Sequence, residues 1–395
     1  MNILVINSGS SSIKYQLIQM PTEKVICSGM VERIGIADSQ IHYKTENNSI
    51  SETLFIENHK IGLEKITNFL LDEKVGVISS KHDIRAVGHR VVHGGSTFSK
   101  TTIIDSEVKA KIKELFSLAP LHNPPNYEGI EVASELFDTA IQIAVFDTAF
   151  HQTMPTEAYK YAIPNKYLEE EQIRSYGFHG TSHKYVSEKA IEMLGKENSK
   201  IITIHLGNGC SMTAIKDGKS IETSLGFGPM NGLIMGTRSG DVDQSVIFYL
   251  VEKLGIPLEK VNTILQKESG MYGLTGFSDL RDIEANAENG NEECKLALEM
   301  NAYRIKKYIG SYAAIMNGLD AIVFTAGIGE NSDVIRKLVC TDMEFMGIEL
   351  NQELNSIRSK ENRNINTENS KVSILVIPTN EEIEIAKQSY ELIES

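Results

Sequence analysis

The sequence predicts an α/β protein of two domains with a duplicated architecture. Three observations carry that expectation. The chain has 395 residues, more than one ordinary hydrophobic core organises. Apolar runs of strand length alternate with segments of helical periodicity. Two stretches resemble one another: "ILVINSGSSSIKYQLIQ" at the start and "IITIHLGNGCSMTAIKDGKSI" over residues 201–221. Each is an apolar strand, a Gly/Ser/Asn turn and a second strand containing Ile-Lys, which predicts two similar hairpins, one per domain, facing a shared cleft.

Composition narrows the function classes. The chain is 41% hydrophobic and 23% charged, with a net charge of −14. That balance argues against nonspecific binding to nucleic acid or to an anionic membrane surface. It leaves room for a phosphate site, where a few local basic groups suffice. No apolar stretch approaches the roughly 18 residues of a membrane span, and the start lacks a basic, then apolar, secretory signal. The four cysteines form no CxxC pair, so reduced thiols in a cytoplasmic protein are expected.

The elements follow in chain order. Ile3 to Ile6 is a strand, Asn7 to Ser12 a polar turn, and Tyr15 to Ile18 a second strand beyond Lys14. This is not a Walker A loop: Ile13 replaces its second Gly, Tyr15 its Ser/Thr, and no helix pattern follows. "AVGHRVVHGG" reads as a strand ending in a turn, and Pro124 and Pro125 of "LAPLHNPPN" predict a loop. "IQIAVFDTAFH" is another strand, with Asp147 at its carboxyl end. Helices are expected in "SVIFYLVEKLG" and from Cys294 to Asn317. The strand "DAIVFTAG" then runs into the loop "IGENS". The final "IPTNEEIEIAKQSYELI" is a strand end, a cap and a helix; "TNEE" fits a capping box with Thr379 as cap and Glu382 reaching back.

Several residues carry candidate chemistry, and each has a structural reading beside it. Three Gly-rich turns follow apolar strands: Asn7–Ser12, Gly207–Gly209 and Gly327–Asn331. Singly each fits a hairpin or a strand-to-helix connection; together they suit a protein that cradles phosphates with backbone N–H groups. Arg90 lies inside an apolar strand, where a guanidinium meets either a bound anion or a structural ion pair. Arg238 sits in the Gly-rich "GFGPMNGLIMGTRSGDVD", as an anion-binding fork or as a surface side chain. His179 and His183 of "FHGTSH" are four apart, but the Glu of a zinc-protease HExxH is missing. His179 fits a donor to an oxyanion or a buried structural histidine. Asp147 fits a strand-end catalytic acid or a turn cap. Glu381 and Glu382 fit a helix cap or hard-oxygen ligands for Mg²⁺.

The ordered set "NSGSSSIK", "HRVVHGG", "LHNPPN", "FDTAFH", "YGFHGTSH", "HLGNG", "GTRSGDVD", "FTAGIGENS" and "PTNEE" resembles the acetate kinases, from residue 2 to about 385. The resemblance implies the duplicated actin-like (ribonuclease H-like) fold, with nucleotide bound between two domains that close on it. The first domain is then 1–147 with 382–395, the second 148–381. It implies phosphoryl transfer between ATP and acetate to give ADP and acetyl phosphate, with Mg²⁺, or Mn²⁺ in its place, in a cytoplasmic homodimer.

Carried over by position, Asn7 and Glu381 match the metal-associated pair, and Lys14 a nucleotide-phosphate contact beside Ser10 and Ser12 of its turn. Arg90 matches the acetate-binding arginine, Asp147 the catalytic aspartate, and His179 and Arg238 the transition-state stabilisers. His122 matches a further active-site histidine, and Val92, Leu121, Phe178 and Pro229 the pocket around the acetate methyl. His205, Leu206, Gly207, Asn208 and Gly209 match the second phosphate loop. Asp279, Leu280 and Arg281, with Gly327, Ile328, Gly329, Glu330 and Asn331, match adenosine and phosphate contacts. A kinase for propionate or butyrate is the nearest rival, and Val92 favours the smaller acid. A non-catalytic ATP-binding protein of the same fold is the rival from another class. The full set Arg90, Asp147, His179 and Arg238 speaks against it.

Overall fold

The computed structural model describes residues 1–395, in two compact units: Met1–Phe150 with Asn380–Ser395, and His151–Thr379. The first break falls after Phe150 rather than after Asp147. Asp147 N–H still bonds Val91 O (3.0 Å) and Thr148 Oγ1 still accepts from Gly94 N–H (2.9 Å), which ties the strand end to the first sheet. The second break falls before Asn380 rather than Glu382, because Asn380 caps the C-terminal helix.

The first unit holds an eight-stranded sheet in the order β5-β4-β3-β2-β1-β6-β8-β7. Its strands are β1 (Asn2–Ser8), β2 (Ser12–Gln19), β3 (Lys24–Glu32), β4 (Ser39–Thr45), β5 (Ser49–Leu54), β6 (Ile84–Val91), β7 (Thr102–Ile103) and β8 (Ile141–Phe146). The second unit holds six strands in the order β11-β10-β9-β12-β14-β13. They are β9 (Lys200–Leu206), β10 (Cys210–Lys216), β11 (Lys219–Thr223), β12 (Ala321–Thr325), β13 (Arg363–Asn364) and β14 (Ser373–Val376).

Removing β4 and β5 leaves one path written twice. In each sheet an antiparallel hairpin (β1–β2, β9–β10) is followed on one side by a third antiparallel strand. On the other side lie two parallel strands (β6 and β8, β12 and β14) and a short antiparallel edge. The likeness of the two hairpins thus extends to the whole sheets.

Strand alternation sets the two faces of the first sheet. Ile3 and Val5 pack with Ala86, Ile143 and Val145 against Ile385 and Ala386 of the C-terminal helix Glu381–Glu394. Leu4 and Ile6 face the other way, onto Leu63, Ile66 and Leu70 of the helix His59–Leu71 and Val132 and Ala133 of the helix Asn123–Leu136. Each such aliphatic side chain contributes about 1.5–3 kcal/mol when fully buried. Gly88 allows the C-terminal helix its close approach: a Cβ there would stand 2.8 Å from Ile385 Cγ2 and 2.9 Å from Ser389 Oγ. The helix end bearing Glu381 is held to the first sheet by this packing.

Four local expectations need correction. Pro124 and Pro125 do not make a loop; they occupy the first turn of the helix Asn123–Leu136, where no intrahelical N–H is needed. "SVIFYLVEKLG" is only partly α-helical: Gln244–Phe248 is α, and Tyr249–Lys253 is wound as a π-helix. "IGENS" is a short helix, Ala326–Asn331, entered through Ala326 at φ +64°. Thr379 does not cap the last helix. Asn380 does, accepting from Ile383 N–H (3.0 Å), while Glu382 pairs with Lys14. No helix is long and apolar enough to cross a membrane.

Candidate active site

In the first unit, parallel pairing of β6 and β8 brings Arg90 and Asp147 to neighbouring carboxyl ends, where α/β sheets commonly place ligands. Arg90 Nε and Nη2 donate to Asp147 Oδ2 at 3.0 and 2.6 Å. Arg90 Nε also lies 3.6 Å from Glu381 Oε2, at the first turn of the C-terminal helix. Lys14 Nζ lies 2.6 Å from Glu382 Oε1, in the next position along that helix. Burial opposes the charge on Arg90, but Asp147 foremost and then Glu381 outweigh it, so the guanidinium is held more firmly protonated than usual. Glu381 shifts the other way. Burial pushes its carboxyl above the usual range, Asp147 and Glu382 add to the rise, and Arg90 and Lys14 oppose it.

The surrounding turns are held by side chains that sequence reasoning passed over. Asn126 accepts from Val92 N–H (3.0 Å) and donates to Ser8 O (2.7 Å). Asn123 accepts from His93 N–H (3.0 Å) and donates back to His93 O (2.9 Å). The "HNPPN" segment therefore clamps the ends of β1 and β6. His59 Nε2 meets Gly9 O at 2.7 Å, pinning the first hairpin turn, which is closed by Gly9 N–H to Ser12 O (2.8 Å). Asn7 stands opposite Lys14 in this hairpin. Ser10 and Lys14 are exposed and Ser12 half-buried. Val92 is buried, whereas Leu121 is 62% exposed, beside His122 at the mouth of the helix Asn123–Leu136.

In the second unit, His179 takes a left-handed backbone conformation (φ +56°) just before the helix Gly180–Leu194. This is an uncommon position for a residue with a Cβ, and such outliers concentrate at functional sites. Its ring stacks on His205 with centroids 4.3 Å apart, and its Nδ1 meets Ser211 Oγ at 2.8 Å. Gly209 lies under the imidazole and under Arg238. A Cβ built there would stand 3.6 Å from His179 Nε2 and 3.8 Å from Arg238 Nη1. Arg238 Nη1 donates to Pro229 O (2.8 Å), and the guanidinium has no carboxylate partner. Burial alone lowers its pKa from the ordinary arginine value. Phe178 is buried and Pro229 half-buried.

Beside this group opens a cavity of about 660 Å³, within the range of small-molecule sites. Leu206, Gly207 and Asn208 line it, as do Asp279, Leu280 and Arg281 and the helix residues Gly327, Ile328 and Asn331. His205, Gly209, Gly329 and Glu330 are not in its wall. Glu330 turns instead to Thr379, accepting its N–H at 3.1 Å. Arg281 pairs with Asp279 (2.6 Å), whose carboxyl is brought down to about 2 by that hydrogen bond and by the Arg281 backbone N–H. The cavity adds Ile234, Met235, Met271 and Arg358, which no motif had marked. The buried Arg336 donates to Gly329 O (2.9 Å) and Glu330 O (3.0 Å), satisfying carbonyls of the short helix, and to Asn355 O (2.8 Å).

The duplicated sheet, a nucleotide-sized cavity in its second half and basic groups at its strand ends define a phosphotransferase of the actin-like fold class. The chain matches the family described as Acetokinase over residues 2–387, and it belongs to that family. A Flavobacterium johnsoniae protein named acetate kinase is 66% identical over 395 residues and all of both chains. A solved acetate kinase of Porphyromonas gingivalis is 46% identical, with a TM-score of 0.94 over 99% of each chain. A solved propionate kinase of Francisella tularensis is 43% identical, with a TM-score of 0.92 over 98% of each.

Proposed function

We propose that the chain transfers the terminal phosphoryl group of ATP to acetate, reversibly and directly in line, giving ADP and acetyl phosphate. The observation that carries this reading is Arg238. A half-buried guanidinium without a carboxylate, beside an imidazole and bare Gly209 backbone, is prepared for an anion that arrives from solution.

The acceptor is already ionised at neutral pH, so it needs no general base. The obstacle is repulsion between two anions. Arg90 receives the acetate carboxylate, and Asp147 fixes the guanidinium plane through its two hydrogen bonds. Asp147 is therefore a positioning residue. His179 and Arg238 donate to the equatorial oxygens of the group in transit, with positioning and charge stabilisation supplying the acceleration. The loop His205–Gly209 and the cavity wall at Asp279–Arg281 and Gly327–Asn331 receive the nucleotide. Val92, Leu121, Phe178 and Pro229 are assigned to limiting the acyl group, and His122 to the same substrate.

No set of three or more His, Cys, Asp or Glu side chains forms a ready-made metal cage. The donor chemistry nevertheless fits Mg²⁺, which takes one or two carboxylates and completes its shell with water and phosphate. Asp147, Glu381 and Glu382 gather hard carboxylate oxygens beside Arg90 and Lys14, the donor type Mg²⁺ takes. Asn7 and Glu381 would hold it, and it would neutralise charge on the nucleotide phosphates. A homodimer in the cytoplasm completes the reading, on family grounds.

The test is ATP- and acetate-dependent formation of acetyl phosphate, trapped as the hydroxamate. No hydroxamate above the acetate-free control would sink the proposal. The same assay with propionate and butyrate ranks the acyl pocket. One methylene is worth only about 1–3 kcal/mol, so propionate is expected to be turned over slowly rather than refused.

A further inference from the structure

His179 is the end of a line of side chains. Its Nδ1 lies 2.8 Å from Ser211 Oγ, and that oxygen lies 2.8 Å from His183 Nε2. His183 Nδ1 lies 2.7 Å from Thr203 Oγ1. Thr203 comes from β9, Ser211 from β10 and His183 from the helix Gly180–Leu194, and all three are fully buried.

Hydrogens along such a line run in one direction. His183 is neutral, because burial first, then His151 and His205, push its pKa well below the usual histidine value. A neutral imidazole has one N–H and one bare nitrogen. Suppose His183 Nδ1–H donates to Thr203. The Thr203 hydroxyl hydrogen then has no acceptor, since His183 is that side chain's sole partner. A buried donor left unmet is the costly arrangement. In the opposite direction Thr203 donates to His183 Nδ1, and His183 Nε2–H donates to Ser211. Ser211 spends its own hydrogen on His179 Nδ1, and every hydrogen of Thr203, His183 and Ser211 finds an acceptor. His179 then carries its proton on Nε2.

We propose that Thr203, His183 and Ser211 are positioning residues that hold His179 as its Nε2–H tautomer, so that the imidazole donates from the edge beside Gly209 and Arg238. That edge and the Arg238 guanidinium both face Gly209, so a phosphoryl oxygen placed there would have donors on two sides. The opposite tautomer would turn a lone pair toward the oxygen and repel it. The catalytic consequence rests on the role proposed above for His179; the tautomer itself does not.

The experiment uses the full chain with ¹⁵N- and ¹³C-labelled histidine. His179 signals are assigned by their loss in His179→Ala, and the ring nitrogen shifts report which nitrogen bears hydrogen. The expected wild-type result is a proton on Nε2. Thr203→Val removes the donor at the far end, some three side chains from His179, without adding bulk. It is expected to mix the tautomers at both His183 and His179. It should also lower kcat severalfold, by less than the roughly 10²–10³ that loss of one transition-state donor costs. KM for acetate and ATP should be unchanged, and Thr203→Ser should restore spectrum and rate. A wild-type proton on Nδ1, or a His179 spectrum indifferent to Thr203→Val, overturns the proposal. If Thr203→Val fails to fold, the wild-type spectrum alone decides. An Nε2–H signal together with an unimpaired His179→Ala enzyme would uphold the line and remove the catalytic role of His179.

Discussion

At the strand ends of the first unit charge is paired with charge: Arg90 with Asp147 and Glu381, Lys14 with Glu382. At the corresponding ends of the second unit hydroxyl and imidazole groups stand where the first unit has ion pairs. His179, His183, His205, Ser182, Ser211, Thr203 and Thr379 bond to one another, and Arg238 stands among them without a carboxylate. The two sheets follow the same path in the same strand senses. The difference teaches that topology fixes where a site stands and leaves its chemistry to the few residues beyond each strand. A paired arginine is already satisfied and accepts a substrate by sharing. An unpaired one has its full Coulomb energy available for a group that becomes more negative as it moves.

That contrast predicts different kinetic signatures for the two arginines. Arg238→Ala should lower kcat by roughly 10³–10⁵, the range for an arginine acting on a phosphoryl transition state, with a smaller change in acetate KM. Arg90→Ala should raise acetate KM as well as lower kcat. Steady-state kinetics with acetate varied at saturating ATP separates the two. An Arg238→Ala enzyme with near-native kcat would break the comparison.

Asp147→Asn sharpens it. The substitution keeps the shape and loses the charge that outweighs burial at Arg90. A positioning role predicts a higher acetate KM and a kcat lowered by about 10–10², with a pH–rate profile of unchanged form. Loss of a limb from that profile would restore Asp147 as a base.

The contrast was only partly legible in the sequence. Both hairpins were readable, because an apolar run, a Gly/Asn/Ser turn and a second run specify a local structure with few long-range terms. The helix Glu292–Met316 was readable for the same reason, its Asn291 cap and 3.6-residue period being local. The clamps were not. Asn123 and Asn126 look like ordinary loop residues beside two prolines, and only β1 and β6, distant in sequence, reveal what they bind. Glu382 looked like half of a capping box because its partner Lys14 lies at the other end of the chain. Arg336 and Arg358 carried no motif, since a buried arginine that satisfies carbonyls and one that lines a cavity have the same one-letter code.

Charge pairing in the first unit also has a cost that the hydroxyl–imidazole network avoids. Glu381 has a raised pKa, so the folded chain binds its proton more tightly than the unfolded chain does. Stability linked to this group is full below the unfolded carboxyl value and declines as pH rises through the folded one. Glu381→Gln should therefore leave thermal stability unchanged at acid pH and raise Tm by a few degrees at alkaline pH. Thermal melts across that span check it. Equal melts at both ends would mean that Arg90 and Lys14 compensate the carboxylate fully.

The smallest expected effect is the one that separates the two halves most cleanly. Gly88 lies on β6 two residues before Arg90, under the helix that carries Glu381 and Glu382. Gly88→Ala adds one methyl where Ile385 and Ser389 already stand at 2.8 and 2.9 Å. Overpacking of this kind costs about 1–3 kcal/mol and moves the helix rather than the sheet, which is fastened on both faces. Displacement of that helix lengthens the Arg90–Glu381 and Lys14–Glu382 contacts together. Acetate KM should rise a fewfold with the fall in Tm. Nucleotide affinity read at the cavity of the second unit should stay as it was, because every residue lining that cavity belongs to the second unit and the helix to the first. A parallel loss of nucleotide binding would show that the two chemistries are not separable.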